Sequence, residues 1–331
     1  MTTSTDPLIR FRPRRLGHAN LWVGDVKRNT EFYNQIFGLH LEATEPGILG
    51  SFLGNGNTHH DIGTVEITRG EDRVGRDGQI LIPKSISANT GLFHLGWEME
   101  NEVQLVAAIQ RLRRTDQKIT MFADHQISHS IYIPDPDGNL HEFYADSLTD
   151  WRSIFQGELE LITGVWDPGT PPPRDKAYYD PDPELYGVAE APLHPLSITH
   201  AGLTVSSLET SVRWFIDVAG LDLSHRAKDN AYAVLSGAIG RVDLKLFQAE
   251  PGEDPGLHHV GFALDSEAGM EQSKQQLAAR NIPIEKEVDG NGKHSLFILD
   301  PDGTRWEFGV VRGADPASIA ALSNAERRYF V

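Results

Sequence analysis

HQISHSIYIPDPDGNLHE, residues 125–142, packs two strand-like runs, a turn, histidines, a tyrosine and a carboxylate into one short hairpin. Residues 127–134 alternate as a strand does, Asp135-Pro136-Asp137-Gly138 supplies turn chemistry, and 139–145 resume as a second strand, so the two runs are expected as antiparallel neighbours. Period-two geometry places Glu142 on one face with Leu140 and Tyr144, and His141 and Phe143 on the other. A carboxylate on an otherwise apolar strand face must find a partner there or take up a proton, because an isolated buried charge is too costly. A metal ion is one such partner.

The hairpin occurs twice. Residues 294–308 read HSLFILDPDGTRWEF, so Asp135, Gly138 and Glu142 correspond to Asp300, Gly303 and Glu307 at an offset of 165. Leu92-Phe93-His94-Leu95-Gly96 matches Leu257-His258-His259-Val260-Gly261 at the same offset. Further upstream, Gly17-His18-Ala19-Asn20-Leu21 resembles Thr199-His200-Ala201-Gly202-Leu203, and each is followed by a helical pattern ending in Gly-Leu (38–39 and 220–221). That last offset is 182, which implies an insertion in the first copy or a deletion in the second.

A duplicated chain of 331 residues has length for two well-cored domains. Each half divides again into two modules of one strand, one helix and three strands. In the first, a strand at 17–23 leads to a helix at about 26–37 capped by Asp25, then strands near 39–43, 48–54 and 61–68. In the second, a strand at 91–98 and a helix at 101–115 precede strands near 118–123, 127–134 and 139–145. Residues 69–90 are charged and Gly-rich and read as a long loop. The fold class expected is α+β, with four βαβββ modules paired into two tandem domains whose curved sheets form clefts. The divisions expected are a polar leader (1–14), a first domain (15–146), a connector (147–196), a second domain (197–312) and a tail (313–331). The connector carries a short apolar helix at 151–155 and a Pro/Asp-rich run held by Trp166, Tyr178, Tyr179 and Tyr186; the tail is helical and docks through Tyr329-Phe330-Val331.

Charge and composition narrow the chemistry. With 30 basic and 47 acidic residues the net charge is −17, which disfavours a phosphate-backbone partner, and the basic run at 10–15 is too short to reverse that. The absence of cysteine excludes disulfides, thiolate metal sites and cysteine nucleophiles. No stretch approaches eighteen apolar residues and the N-terminus lacks an apolar signal core, so a cytoplasmic protein without membrane or nucleic-acid partners, and a homo-oligomer, is expected. Each half offers two strand histidines and a strand glutamate: His18, His94 and Glu142 in the first, and His200, His259 and Glu307 as a second possible site. Two histidines and one carboxylate are the set that holds non-haem Fe(II) and leaves coordination positions open.

These features resemble the vicinal oxygen chelate superfamily (glyoxalase/extradiol dioxygenase-like), and the first half resembles its type I extradiol, catechol 2,3-dioxygenase-like, ring-cleaving enzymes. The signature runs through His125, Ile131-Tyr132, Asp135-Pro136-Asp137-Gly138 and Glu142, with Ala123 as a departure; Thr58-His59-His60-Asp61-Ile62 resembles the family's His-Asp strand start and points to His60. The resemblance implies an extradiol dioxygenase using Fe(II), or Mn(II), on a small aromatic diol and O2 in aromatic catabolism. His60 would be base and oxygen-side donor, while His125 and Tyr132 would hold the substrate oxygens. His129 is expected in a solvated hairpin, and His59 and His141 as surface or core residues. In the second half Phe297 stands at the tyrosine position, Gly290 at the His125 position, and Arg241-Val242-Asp243-Leu244 offers nothing for His60, so that half is expected to be silent or structural. A glyoxalase-like isomerase or lyase would ask for a second carboxylate, for which Glu66 is the candidate. A non-catalytic sequestration protein would have no use for the triads.

Overall fold

The computed structural model describes residues 9–75, 78–86, 88–155, 164–290, 292–312 and 322–331. Parts of the leader (1–8), the connector (156–163) and the tail (313–321) lie outside the described residues. The first half contains β1 (Arg15–Val23), α1 (Val26–Gln35), β2 (His40–Glu45), β3 (Gly50–Gly54), β4 (Ile62–Glu66), β5 (Arg73–Val74), β6 (Ile80–Ile82), β7 (Gly91–Glu98), α2 (Glu102–Leu112), β8 (Met121–Asp124), β9 (Ser128–Pro134) and β10 (Leu140–Asp146). The second half contains β11 (Ser197–Val205), α3 (Leu208–Trp214), β12 (Asp222–Arg226), β13 (Tyr232–Ser236), β14 (Val242–Gln248), β15 (Gly256–Ala263), α4 (Glu267–Ala279), β16 (Lys286–Gly290), β17 (Lys293–Leu299), β18 (Arg305–Val311) and, after the sheet, α5 (Asn324–Phe330). Each half builds an eight-stranded sheet, in the orders β2-β3-β4-β1-β7-β10-β9-β8 and β12-β13-β14-β11-β15-β18-β17-β16. The α+β class and the tandem arrangement of βαβββ modules are as the repeat implied. The two modules of a half join where β1 runs antiparallel to β7, and β11 to β15.

The hairpin forms as the alternation requires. β9 and β10 pair antiparallel with Tyr132 opposite Glu142. The turn closes because Asp135 Oδ1 accepts the main-chain N–H groups of Asp137 and Asn139, both at 2.9 Å, and Gly138 takes the left-handed conformation (φ 87°) that a side chain would resist. Asp300 and Gly303 do the same in the second copy. Asp25 caps α1 by accepting the Arg28 N–H at 2.9 Å, and Tyr33 and Ile36 face inward.

The turns also join the halves. Asp302 Oδ2 accepts the Gly24 N–H and the Asn29 side-chain amide, each at 2.8 Å, at the start of α1, and Asp137 accepts the Ser206 N–H at 3.1 Å at the start of α3. Below each turn a helix of the other half packs: Tyr33 and Phe37 against Trp306, and Trp214 and Phe215 against His141. One apolar cluster therefore runs through both halves.

Three local expectations change. Residues 9–14 are not a free leader: Phe11 is buried and stacks on Phe143, and the N–H groups of residues 10–12 bond the carbonyls of 217–219. The loop at 69–90 contains the small hairpin β5–β6, too short for alternation to reveal, and Ile82 is buried with Trp22, Ile48 and Val65. The apolar helix at 151–155 is a single 3-10 turn, Trp151–Ser153.

Candidate metal centre

His18 on β1, His94 on β7 and Glu142 on β10 come from three adjacent strands, and one ligand atom of each lies within 4.8 Å of the others. The register explains the convergence. His18 sits opposite Gly96, and a Cβ at Gly96 would fall inside the His18 imidazole. Glycine two residues after His94 is therefore what lets the His18 ring lie across the sheet; Gly261 makes the same room for His200. Glu142 Oε2 stands 2.8 Å from His18 Nε2 and 3.2 Å from His94 Nε2. Neighbouring ligand atoms at right angles around a metal at ~2.1 Å lie about 3 Å apart, so this spacing fits one ion. All three side chains are buried, and His94 Nε2 makes no hydrogen bond. Burial holds His18 neutral, with its pKa lowered to about 4, while the opposing pull of the histidines keeps Glu142 ionised well below the usual carboxylate range despite burial. The residues thus stand in the protonation states a cation needs.

The other expected site residues fall around this triad. His125 Nε2 lies 2.9 Å from the Tyr132 hydroxyl and 3.6 Å from Glu142 Oε1. The Tyr132 hydroxyl is not satisfied by backbone as a simple core tyrosine would be, and burial together with the Glu142 charge keeps it protonated. His60 stacks near His18 at 4.3 Å between ring centroids, its Nε2 lies 3.1 Å from Asn20 Oδ1, and its Nδ1 is buried without a partner. Burial and the neighbouring His18 hold it neutral. His59, expected as surface or core, is buried within the same histidine cluster, and His18, His59 and His60 also bring nitrogens within 4.8 Å of one another. His141 is a core residue that accepts from Trp97 Nε1 at 3.0 Å. His129 is not in a solvated hairpin: it stacks on Trp166 at 4.8 Å and bonds Glu102 at 2.7 Å, so the connector tryptophan fixes it. Residue patterns alone missed Ser130, whose hydroxyl donates to Glu142 Oε1 at 2.5 Å, although its recurrence as Ser295 at the offset of 165 was there to be read.

His60, His94, His125, Tyr132 and Glu142 line a cavity of about 190 Å³, walled by Trp22, Phe52, Phe93, Ile127 and, from the 69–90 segment, Leu81, Ile82 and Ile86. Glu66 takes no part, because its carboxylate accepts the Val26 N–H at 3.2 Å; Glu45 is buried in the cavity wall.

In the second half His200 Nε2 lies 3.0 Å from His259 Nε2 and 3.2 Å from Glu307 Oε2. Two groups without counterparts in the first half enter this cluster. Lys293 Nζ donates to Glu307 Oε1 at 2.9 Å, and Lys245 Nζ stands 3.7 Å from Glu307 Oε2. Like charges ~4 Å apart repel by about 4 kcal/mol per pair of unit charges in partly polar surroundings, so a divalent ion at this triad would oppose the Lys293 ammonium group and disfavour protonated Lys245. Burial lowers His200 to about 4, His259 to about 3 and Lys245 to about 7. The expectation that this half lacks acid–base groups is corrected: the His125 and Tyr132 counterparts are absent, but Lys245, Lys293, His225 and Tyr232 line a cavity of about 550 Å³.

Comparison with known proteins follows the same lines. The profile of the Glyoxalase/Bleomycin resistance protein/Dioxygenase superfamily matches residues 15–143 and 197–308. A catechol-2,3-dioxygenase of Bacillus subtilis (strain 168) is 23% identical over 223 residues, covering 63% of this chain and 65% of its own length. The chain thus spans just under two-thirds of that relative. Among solved structures, the 2,3-dioxygenase LapB of Pseudomonas sp. KL28 superposes with a TM-score of 0.66 at 15% identity, over 92% of this chain and 95% of its own. The Mn(II)-bound glyoxalase of Novosphingobium aromaticivorans superposes with a TM-score of 0.63 at 16% identity, over 90% and 82%. At these identities the superpositions speak for the fold.

Proposed function

The chain belongs to the Glyoxalase/Bleomycin resistance protein/Dioxygenase superfamily, and on that ground we propose that its first half is an extradiol dioxygenase cleaving a catechol-type ring with O2 to a muconic-semialdehyde-type product. The observation that carries this reading is the His125–Tyr132 pair, hydrogen-bonded at 2.9 Å in the same cavity as the triad. An isomerase needs no such pair of donors beside the ligands, whereas a ring diol presents two oxygens that must be oriented. Glu66, the carboxylate an isomerase would recruit, is engaged at the start of α1.

His18, His94 and Glu142 would hold Fe(II), or Mn(II) in its place, which when bound supplies open positions for the two diol oxygens and O2 and passes charge between them. The remaining steps belong to side chains. His60, with Nε2 bonded to Asn20 and Nδ1 free to accept, takes the proton that a diol releases on binding as its monoanion. Tyr132, kept protonated, donates to a substrate oxygen, and His125 moves that proton as the ring opens. The apolar walls exclude bulk water, and the cavity's size suits a single small ring rather than a drug-sized ligand. In the balanced reaction both atoms of O2 enter the product, the carbon–carbon bond next to the diol breaks, and one substrate proton is relayed through these groups.

The test is oxygen consumption by the Fe(II)- or Mn(II)-reconstituted protein with catechol. The expected outcome is one O2 per catechol with semialdehyde absorption. No uptake with either metal, or isomerisation of a glutathione hemithioacetal by the same preparation, overturns the reading.

A further inference from the structure

We propose that Tyr144 is a positioning residue for the metal ligand His18: its hydroxyl receives the Nδ1–H that ligation through Nε2 leaves on that ring. The inference rests on metal binding at the first triad and not on the reaction assigned to it. Without metal, Glu142 Oε2 stands 2.8 Å from His18 Nε2, so the neutral ring carries its proton there and donates it to the carboxylate. A metal on Nε2 moves that proton to Nδ1, which then needs an acceptor. His18 Nδ1 is buried without a hydrogen-bond partner, and an N–H left so forfeits its desolvation energy. Tyr144, fully buried, stacks on the same ring with centroids 5.1 Å apart and 27° between planes. Its hydroxyl is likewise buried and unpartnered, and so is Thr58 Oγ1. The His59 ring, next along the chain from Thr58, lies 5.6 Å from His18 and 5.2 Å from Tyr144, which brings these groups to one spot. One buried water with these polar partners links the hydroxyl to Nδ1.

The second half meets the same need from the opposite side. There Thr199, the residue before the histidine, stands with its hydroxyl 2.9 Å from His200 Nδ1. Gly17 occupies that position in the first half, and a Cβ on it would fall 2.1 Å from the Tyr144 hydroxyl oxygen. The hydroxyl, nearer than any atom of the ring, is the group that this glycine admits. At the offset of 165 Tyr144 becomes Gly309, where a Cβ would lie 2.5 Å from Ser295 Oγ. Each half thus brings one hydroxyl to its first histidine, from the preceding residue in one copy and from the glutamate's strand in the other.

The test is Zn(II) binding by the full chain, measured by competition with a chelator, with nitrogen NMR of histidine-labelled protein. It compares wild type, Glu142→Ala, Tyr144→Phe, Tyr144→Leu and Tyr144→Leu combined with Gly17→Thr. The proposal expects Tyr144→Phe, which keeps the stacked ring, to bind Zn(II) roughly 10- to 100-fold more weakly than wild type, the usual loss when such a partner is removed. Melting of the metal-free variant should match wild type. Gly17→Thr should recover most of the affinity lost in Tyr144→Leu, because it supplies a hydroxyl from the side that Thr199 uses. In the Zn(II)-loaded wild type the His18 resonances should show Nδ1 protonated, and they should shift in Tyr144→Phe. Undiminished affinity in Tyr144→Phe overturns the proposal, and so does a lowered melting temperature of that variant without metal, which would make the hydroxyl structural. A folded double variant that recovers no affinity overturns it too. If wild type and Glu142→Ala bind Zn(II) alike, the first triad is not the site and the premise itself falls. The wild-type spectrum decides even where a variant does not fold, since a loaded His18 protonated on Nε2 has no Nδ1–H for Tyr144 to receive.

Discussion

Glu142 is the residue on which the first site turns: it faces two histidines, His125 and the Ser130 hydroxyl at once. Removing it as Glu142→Ala takes away the only negative ligand of the triad, and metal per chain measured by elemental analysis is expected to fall at least tenfold, with ring cleavage lost. His60→Phe separates ligation from proton handling. It should keep the metal while slowing turnover by roughly 10²-fold, the usual contribution of one positioned acid–base group; loss of metal would show that His60 is a ligand. Asp61, buried beside His60, gives a pH signature of its own, because burial raises its pKa from the usual range to about 6. The folded protein then holds a proton that the unfolded chain releases, so this contribution to stability is complete below about 4 and is lost as pH rises to about 6. Relative to wild type, Asp61→Asn should gain about 3 kcal/mol between those limits and level off above them, as read from denaturation midpoints across pH. A flat difference would mean that Asp61 titrates normally. At this scale much was legible: both triads follow from the repeated histidine and glutamate positions. Lys245 and Lys293 were not, because nothing in strand alternation says that a lysine's ammonium turns inward to a carboxylate, three strands away for Lys245 and on the neighbouring strand for Lys293, rather than out to water.

At the scale of elements, the DPDG turns were legible as hairpin closures from their composition, but not as docking points. Asp302 is the plainest case: its carboxylate accepts from the Gly24 N–H just before α1 and from the Arg28 and Asn29 side chains in its first turn, all in the other half. A hydrogen bond to a charged group contributes about 1.5–3 kcal/mol, less where a partner such as Arg28 is exposed. Asp302→Ala is therefore expected to lower stability by about 1–2 kcal/mol in chemical denaturation, with metal content per chain unchanged; no change would make the contact incidental. Such partners are hidden from sequence because they lie 270 or more positions away, at Arg28 and Asn29, and depend on how two finished sheets meet. The β5–β6 hairpin was hidden for the opposite reason, since two- and three-residue strands carry too little alternation to register, yet Ile82 and its neighbours close one side of the first cavity.

For the whole molecule, the continuous apolar cluster joins Phe37 to Trp306 and Phe308, and His141 to Trp214 and Phe215, so neither sheet keeps its outer face covered alone. Denaturant unfolding is expected as one transition, with far-ultraviolet and near-ultraviolet circular dichroism coinciding and an m-value suited to the entire chain. Two resolved transitions would show that the halves fold separately. The tandem architecture itself was legible from the constant offset of the repeats, whereas the mutual burial of the halves emerged only from the packing of one half's first helix on the other's second module.

The reciprocal placement of Asp137 and Asp302, each completing a helix start that belongs to the other half, is the arrangement of an isologous two-fold dimer written into a single polypeptide. In a true dimer of identical chains any substitution arrives at both sites together, and a lysine gained at one triad would be gained at both. Fusion removes that constraint. One copy could keep Ser128 and Gly63 around its triad while the other acquired Lys293 and Lys245, without either change disturbing the shared scaffold. The molecule's two cavities can thus be lined by unlike residues because its symmetry is confined to the backbone.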